Sequence, residues 1–300
     1  FVPKNNRLFL VGGSWRALAR IDMERCDHPL RVLHEYRMEK KSIKELKYFI
    51  KDHGLENIAK QCSISASRIM FIPYAMEILE KLCSVFKPKD IAISSYGIRE
   101  GMLYEKMPQM LKDRDPLIEA CRFAEAKDSR VPGAGKALFN FVKPLFSNGK
   151  ESQTRLILAA CYLHDVSWRA HPDYRHEACF DYITRANLGG LKHSERVFLG
   201  LALLFRYKNN HSRTSFDPLL RLLSSQKIKD AEILGKAMRL GANLWVTSTN
   251  SEAYLKYIKK KNKLSLKVGE LEKKRLGEVS RLRLDSLANS LKAEVEISDV

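Results

Sequence analysis

The spacing of apolar positions changes character along the chain, and each change predicts a different architecture. Residues 8–20, LFLVGGSWRALAR, begin as an apolar run that ends in Gly12-Gly13-Ser14 and continue into a helix-forming segment, which predicts strand, glycine loop and helix. Residues 30–38 alternate well enough for a strand. Ser42 with Glu45 three positions later is a capping-box signature, predicting a helix over 42–51 that stops at Asp52-His53-Gly54, and a second helix starts near Leu55. Ser65 or Ser67 then caps a longer helix whose Ile69, Ile72, Ala75, Met76, Leu79 and Leu82 share one face. It ends at Phe86-Lys87-Pro88, and Pro73 inside it predicts a kink. Residues 89–104 predict a strand, a turn bounded by Gly97 and Gly101, and a resumed strand. Strand, helices, strand is the order of an α/β layer.

From residue 107 to about 245 the period becomes helical. Helices are expected over 116–126, 135–146, 152–163, 174–186, 194–208, 217–223 and 229–245, punctuated by Pro132-Gly133, Asn148-Gly149 and Gly189-Gly190. Residues 252–268 then alternate as two strands around a lysine-rich turn, and 271–291 form a charged amphipathic helix. The expected division is an α/β domain over 1–105, an all-α domain over 106–248 and a hairpin-plus-helix subdomain over 249–300.

Composition narrows the classes. The chain has 300 residues, 45% hydrophobic, enough for two cores. No apolar run approaches the ~20 residues of a spanning helix, and Phe1-Val2-Pro3-Lys4 lacks signal-peptide order, so a cytoplasmic location and no membrane partner are expected. The first residue is Phe and a strand follows almost at once, so the expectation is a piece of a longer protein. Six scattered cysteines without a CxxC pair read as reduced core residues. The net charge is +18; residues 1–105 hold 18 basic against 13 acidic side chains, leaving 35 against 22 for the rest. Such a field attracts polyanions.

The glycine loop is the first candidate for chemistry. A helix N-terminus leaves N–H groups unpaired and carries about half a positive charge, so a glycine loop feeding one brings main chain close to an anion such as phosphate. The other reading is a tight βα turn with Ser14 as N-cap. Arg99, between Gly97 and Gly101, either faces a ligand or pairs with Glu100.

Several segments together carry a family resemblance. LVGGSWRALARID with RVLHEYRM, then SASRIMFIPYAMEILEKL and AISSYGIREGMLYEKM, resemble the second half of the actin-like catalytic module of the Ppx/GppA family, exopolyphosphatases and guanosine pentaphosphate phosphohydrolases. The stretch from AACYLHDVSW through LLFRYKNN is similar to the HD-like helical domain that follows in that family. The resemblance implies an α+β chain: an actin-like ATPase-type (ribonuclease H-like) α/β lobe, then an HD-like all-α domain with a small C-terminal β-hairpin and helix. It implies hydrolysis of the terminal phosphoanhydride of inorganic polyphosphate, or of pppGpp, with Mg²⁺ in the complete enzyme and a homodimer formed through the helical domains.

Within that resemblance, Gly12, Gly13, Ser14 and Arg99 approach the terminal phosphates as one wall of a cleft. The family's DxG[ST] and GGGS loops have no counterpart here, so the N-terminal lobe, with the glutamate base, is expected to be missing as a partner and the isolated chain to be inactive; no catalytic residue is assigned. Glu100 belongs to the REG turn.

His164-Asp165 invites a metal reading, with His171, His176 and His193 as further ligands. A working HD-type site also needs an upstream His and a later Asp; residues 129–136 contain no His, and the later helix offers Ala242 and Asn243. The pair therefore reads as vestigial and no metal is assigned. Residues 256–275 hold nine Lys or Arg against two Glu, with Lys259, Lys260 and Lys261 at the hairpin tip, and are expected to guide a polyanion. The competing class is a non-catalytic module for RNA or another polyanion, although no RNP, KH or zinc-finger pattern accompanies the charge.

Overall fold

The computed structural model describes residues 7–147, 149–210, 215–246 and 251–300. The first residues, Asn148 of the expected 148–149 turn and the division between 248 and 249 lie outside the described residues. The chain forms a mixed α/β structure of two compact units, Phe1–Asp113 and Arg114–Val300. No helix among the described residues is long and apolar enough to cross a membrane.

In the first unit, β1 (Arg7–Val11) leads into α1 (Gly13–Arg25), followed by β2 (Arg37–Met38), α2 (Ser42–His53), α3 (Leu55–Gln61), α4 (Ala66–Ile69), α5 (Ile72–Phe86), β3 (Asp90–Ser94), α6 (Ile98–Lys106) and α7 (Gln109–Lys112). The sheet order is β1-β3-β2. β1 runs parallel to β3 with Val11 opposite Ser94, and β2 runs antiparallel to β3. The central strand buries Ile91, Ala92 and Ile93 in succession, as a strand covered on both faces must. Leu18 and Ile21 of α1 join Leu46, Ile58, Ile72 and Leu79 in one core. Within it, the buried Asp22 carboxylate accepts from Tyr36 Oη at 2.8 Å and from Arg25.

Four expectations change here. The strand expected over 30–38 shrinks to two residues, because the chain turns with Tyr36 N donating to Leu33 O and Glu35 at φ 61°; Glu35 and Tyr36 still exchange backbone hydrogen bonds with Ile93, but only Arg37 and Met38 continue as regular strand. The resumed strand after Gly97 is instead α6. Pro73 kinks nothing: the chain breaks before it, and it occupies the first turn of α5, where its missing N–H costs no hydrogen bond. Ser42 lies inside α2 rather than capping it, and Glu45 pairs with Arg25 at 2.7 Å.

The second unit contains α8 (Pro116–Asp128), α9 (Ala134–Val142) continuing into a 3₁₀ turn at Lys143–Phe146, α10 (Glu151–Leu163), α11 (Arg175–Arg185), α12 (His193–Tyr207), a 3₁₀ segment at Asp217–Leu222, and α13 (Ser225–Asn243). After these come β4 (Ala253–Ile258), β5 (Lys263–Val268), α14 (Glu270–Lys274), α15 (Glu278–Leu291) and β6 (Glu294–Asp299). Helix α12 is buried on every side from Val197 to Arg206, the signature of a central helix, and packs between α11 and α13. The closest approach is at Gly235 of α13, where an added methyl would meet the carbonyl oxygen of Ala202 and Cβ of Phe205. The expected hairpin is present. Beyond it, β6 returns parallel to β5, completing a three-stranded sheet that the alternation of 252–268 did not announce.

Candidate functional site

Parallel pairing of β1 with β3 puts both carboxyl ends at the same edge of the first unit's sheet, and each strand feeds a helix there. Gly12 ends the first strand at φ 132°, ψ 168°, a conformation open in practice only to glycine, and α1 begins at Gly13. Gly12, not Ser14, is the residue at the cap position. Among the described residues no side chain caps that first turn, and Ser14 is half-buried within it. At the second strand, Gly97 precedes α6, and the Glu100 carboxylate accepts from the Gly97 N–H at 2.6 Å. These backbone hydrogen bonds hold the Glu100 carboxyl below its usual range. Glu100 is thus engaged with the helix end rather than with Arg99. Arg99 lies exposed in the first turn of α6, not in a glycine-bounded hairpin turn.

Arg16 joins the two loops. Its Nε donates to Ser94 O at 3.2 Å, and its Nη2 to Ser95 O at 2.9 Å and Tyr96 O at 3.4 Å. A cleft of about 200 Å³ opens beside it, lined by Gly13, Arg16, Arg20, Leu33, Arg68 and Ser95. A Cβ on Gly13 would lie 3.5 Å from Arg68 Nε, so the guanidinium stands against bare backbone at the helix start. Arg20 donates only to Ser63 O, and none of the three arginines pairs with a carboxylate among the described residues. Three guanidiniums beside a helix N-terminus form a site for a multiply charged anion. A second cleft of about 230 Å³ flanks the same loop, between Gly12–Ser14 and the aromatic side chains of Trp15, Phe71 and Tyr74.

Arg16, Arg20 and Arg68 were not among the residues singled out from sequence. The i,i+4 spacing of Arg16 and Arg20 directly after the loop was the available signal. Arg68 arrives from α4, and no sequence spacing could place it.

In the second unit, His164 and Asp165 are buried at the end of α10 and face one cavity with Ala242 and Asn243. His164 Nδ1 lies 2.8 Å from Cys161 O. Burial, with the Arg206 guanidinium nearby, pushes the imidazole down to about 4. Burial opposes the charge of Asp165, but hydrogen bonds from the Arg130 side chain (2.5 and 2.8 Å) and backbone (3.1 Å) hold its carboxyl below the usual range. His171 lies beside Asp173, and His176 beside Lys208 and Glu177, so these side chains are engaged elsewhere. No group of three His, Cys, Asp or Glu that could hold a metal occurs among the described residues. Lys259, Lys260 and Lys261 are exposed in a 3₁₀ turn between β4 and β5.

A family model described as Ppx/GppA phosphatase family matches residues 2–110, and one described as Exopolyphosphatase, C-terminal matches residues 129–297. No curated protein matches the chain.

Proposed function

Because the chain belongs to the Ppx/GppA phosphatase family, a family of phosphohydrolases, we propose that it acts in exopolyphosphate hydrolysis, with the sheet edge of the first unit receiving the terminal phosphates of inorganic polyphosphate. The observation that carries this reading is the convergence of two helix starts and three carboxylate-free arginines on one edge. In the reaction, water attacks the terminal phosphorus, the bridging P–O bond breaks, and the shortened chain leaves with that oxygen. This edge binds and orients: the N–H groups after Gly12 and the Arg20 and Arg68 guanidiniums bear the phosphate charge, while Arg16 fixes the separation of the two loops. Arg99, exposed at the start of α6, is placed to meet phosphates farther along.

Glu100 does not suit the role of base, since its carboxyl is held ionised at low pH by the Gly97 N–H. The base is assigned instead to the family's N-terminal lobe, acting from the opposite wall. The exposed apolar face of α6, with Ile98, Met102 and Leu103, beside Phe9 and Val11 of edge strand β1, is the surface we assign to that lobe. Mg²⁺ does not fit the donors here, which are guanidiniums and N–H groups rather than free carboxylates. We assign it no ligand in this chain.

The aromatic cleft at Trp15, Phe71 and Tyr74 favours a second reading, pppGpp, which presents the same terminal anhydride and carries a base that could stack there. Calorimetric titration with each compound distinguishes the two. Polyphosphate is expected to bind, with Arg20→Ala/Arg68→Ala weakening it about tenfold or more. If Tyr74→Ala weakened pppGpp binding while leaving polyphosphate binding unchanged, and pppGpp bound tighter, the second reading would replace the first. Robust phosphate release by the 300-residue chain alone with Mg²⁺ would show that the base has been misplaced.

A further inference from the structure

The cavity beside His164 and Asp165 contains a charge with no hydrogen-bond or ion-pair partner among the described residues. Arg206, at the end of α12, is 9% exposed, and its guanidinium makes no hydrogen bond or ion pair among the described residues. Its Nε is fully enclosed and unsatisfied, and its one specific contact is the face of the Tyr207 ring, 4.9 Å from the guanidinium carbon. The nearest acid, Asp165, is occupied by Arg130 through both carboxylate oxygens. Other titratable groups do not neutralise Arg206: His164 is neutral near pH 7, Cys179 is a buried thiol whose acidity burial suppresses, and Tyr207 is held protonated. A buried cation is normally paired and hydrogen-bonded, because leaving it otherwise costs its full desolvation.

Arg206 lines a cavity of about 360 Å³, within the range of small-molecule sites. Its polar lining comprises Arg130, Arg206, the Asn243 amide, His164 and the Asp165 carboxylate that Arg130 already holds, and its apolar lining includes Leu138, Val246 and the exposed Trp245 indole. We propose that this cavity binds a small phosphate-bearing anion, its phosphate on Arg206 and Arg130 and any organic portion against Leu138, Val246 and Trp245. The site lies wholly within the second unit and does not rest on the polyphosphate reading of the first. Inorganic phosphate and a phosphate monoester share the chemistry that Arg206 recognises. The apolar lining, indole included, favours the monoester.

The test is calorimetric titration of the full chain with inorganic phosphate and, separately, with phenyl phosphate, at matched chloride concentration. In the Arg20→Ala/Arg68→Ala background, which removes the anion site of the first unit, saturable one-to-one binding of phenyl phosphate is expected, and adding Arg206→Met weakens it at least about tenfold. Trp245→Ala, at an exposed position, is expected to erase the preference for phenyl phosphate over inorganic phosphate. This keeps the test decisive if Arg206→Met fails to fold. Absence of saturable binding up to about 10 mM, or affinity that follows the Arg20 and Arg68 variants instead of Arg206, would overturn the proposal. So would a Trp245→Ala chain that retains the preference.

Discussion

Gly12 and Gly13 are adjacent, and the structure assigns them opposite sensitivities to the same substitution. Gly12 has φ 132° and ψ 168°, a region that side chains with a Cβ enter at a cost of about 1–3 kcal/mol. Space is not the obstacle, since a methyl there would meet only Trp15 Cδ1, at 3.5 Å. Restriction of the unfolded chain by Ala returns about 0.4–1 kcal/mol, so Gly12→Ala should destabilise the first unit by about 1–2 kcal/mol. Gly13 is already helical, and its added methyl would touch only the Arg68 guanidinium, at an ordinary van der Waals 3.5 Å. Gly13→Ala should therefore change stability by less than about 0.5 kcal/mol, helix propensity offsetting the contact. Because the chain has two units, a single global transition is the wrong readout. Trp15 is the only tryptophan of the first unit, so Trp168→Phe/Trp245→Phe provides a background in which urea unfolding reports on it alone. Gly12→Ala should lower the thermal midpoint by about 4–8 °C per kcal/mol. Equal losses for the two variants, or none for Gly12→Ala, would refute the loop geometry on which the proposed phosphate site rests.

Gly235→Ala should destabilise the second unit by about 1–3 kcal/mol or more, since its methyl meets the backbone of α12 at Ala202 and the Cβ of Phe205; thermal unfolding checks this. His164 titrates near 4 in the folded chain against about 6.5 unfolded, so its contribution is complete above 6.5 and is lost as pH falls through 4, a swing of roughly 3 kcal/mol. His164→Gln should flatten that part of the stability profile, and an unchanged slope would count against a buried neutral imidazole. Asp115 both caps α8, accepting from Leu117 N at 2.9 Å, and holds Arg155, so Asp115→Ala should cost about 1–3 kcal/mol by urea unfolding. Polyphosphate affinity should fall steeply between 50 and 200 mM salt, roughly as each neutralised phosphate releases a counterion. Replacing Lys259, Lys260 and Lys261 by Gln should make that slope shallower, and an unaltered slope would remove the tip from the binding surface.

The helices of the second unit were legible because their apolar faces repeat at helical spacing and glycine or proline separates them. α10, expected over 152–163, begins at Glu151 and ends at Leu163. Strands were less legible where the chain turned for reasons that alternation does not encode. Residues 30–36 alternate but follow a turn closed by the left-handed Glu35, and the segment after Gly97, whose pattern reads as a resumed strand, is helical, with the Glu100 carboxylate accepting from the Gly97 N–H at its start. β6 escaped notice because its partner, β5, is joined to it through two helices, and a parallel pairing leaves no hairpin signal.

The candidate sites show a different limit. The glycine loop was legible because β1, loop and α1 are contiguous, whereas Arg68 reaches the loop only through the packing of α4 against α1. Arg206 is the sharper case. It ends the run VFLGLALLFRY, and an arginine in the last turn of an apolar helix ordinarily extends its stem along the core and leaves its head in water, favoured there by the helix dipole. That reading needs the helix end to be open. Here the end of α10, Asn243 of α13 and the following Trp245 and Val246 gather around it, from positions 40 or so residues away on either side. Hydrophobic period reports which face of a helix is covered, but not whether its end is. A buried charge at a helix end is therefore visible only once the elements that enclose it are assembled, and so is its requirement for a counter-ion.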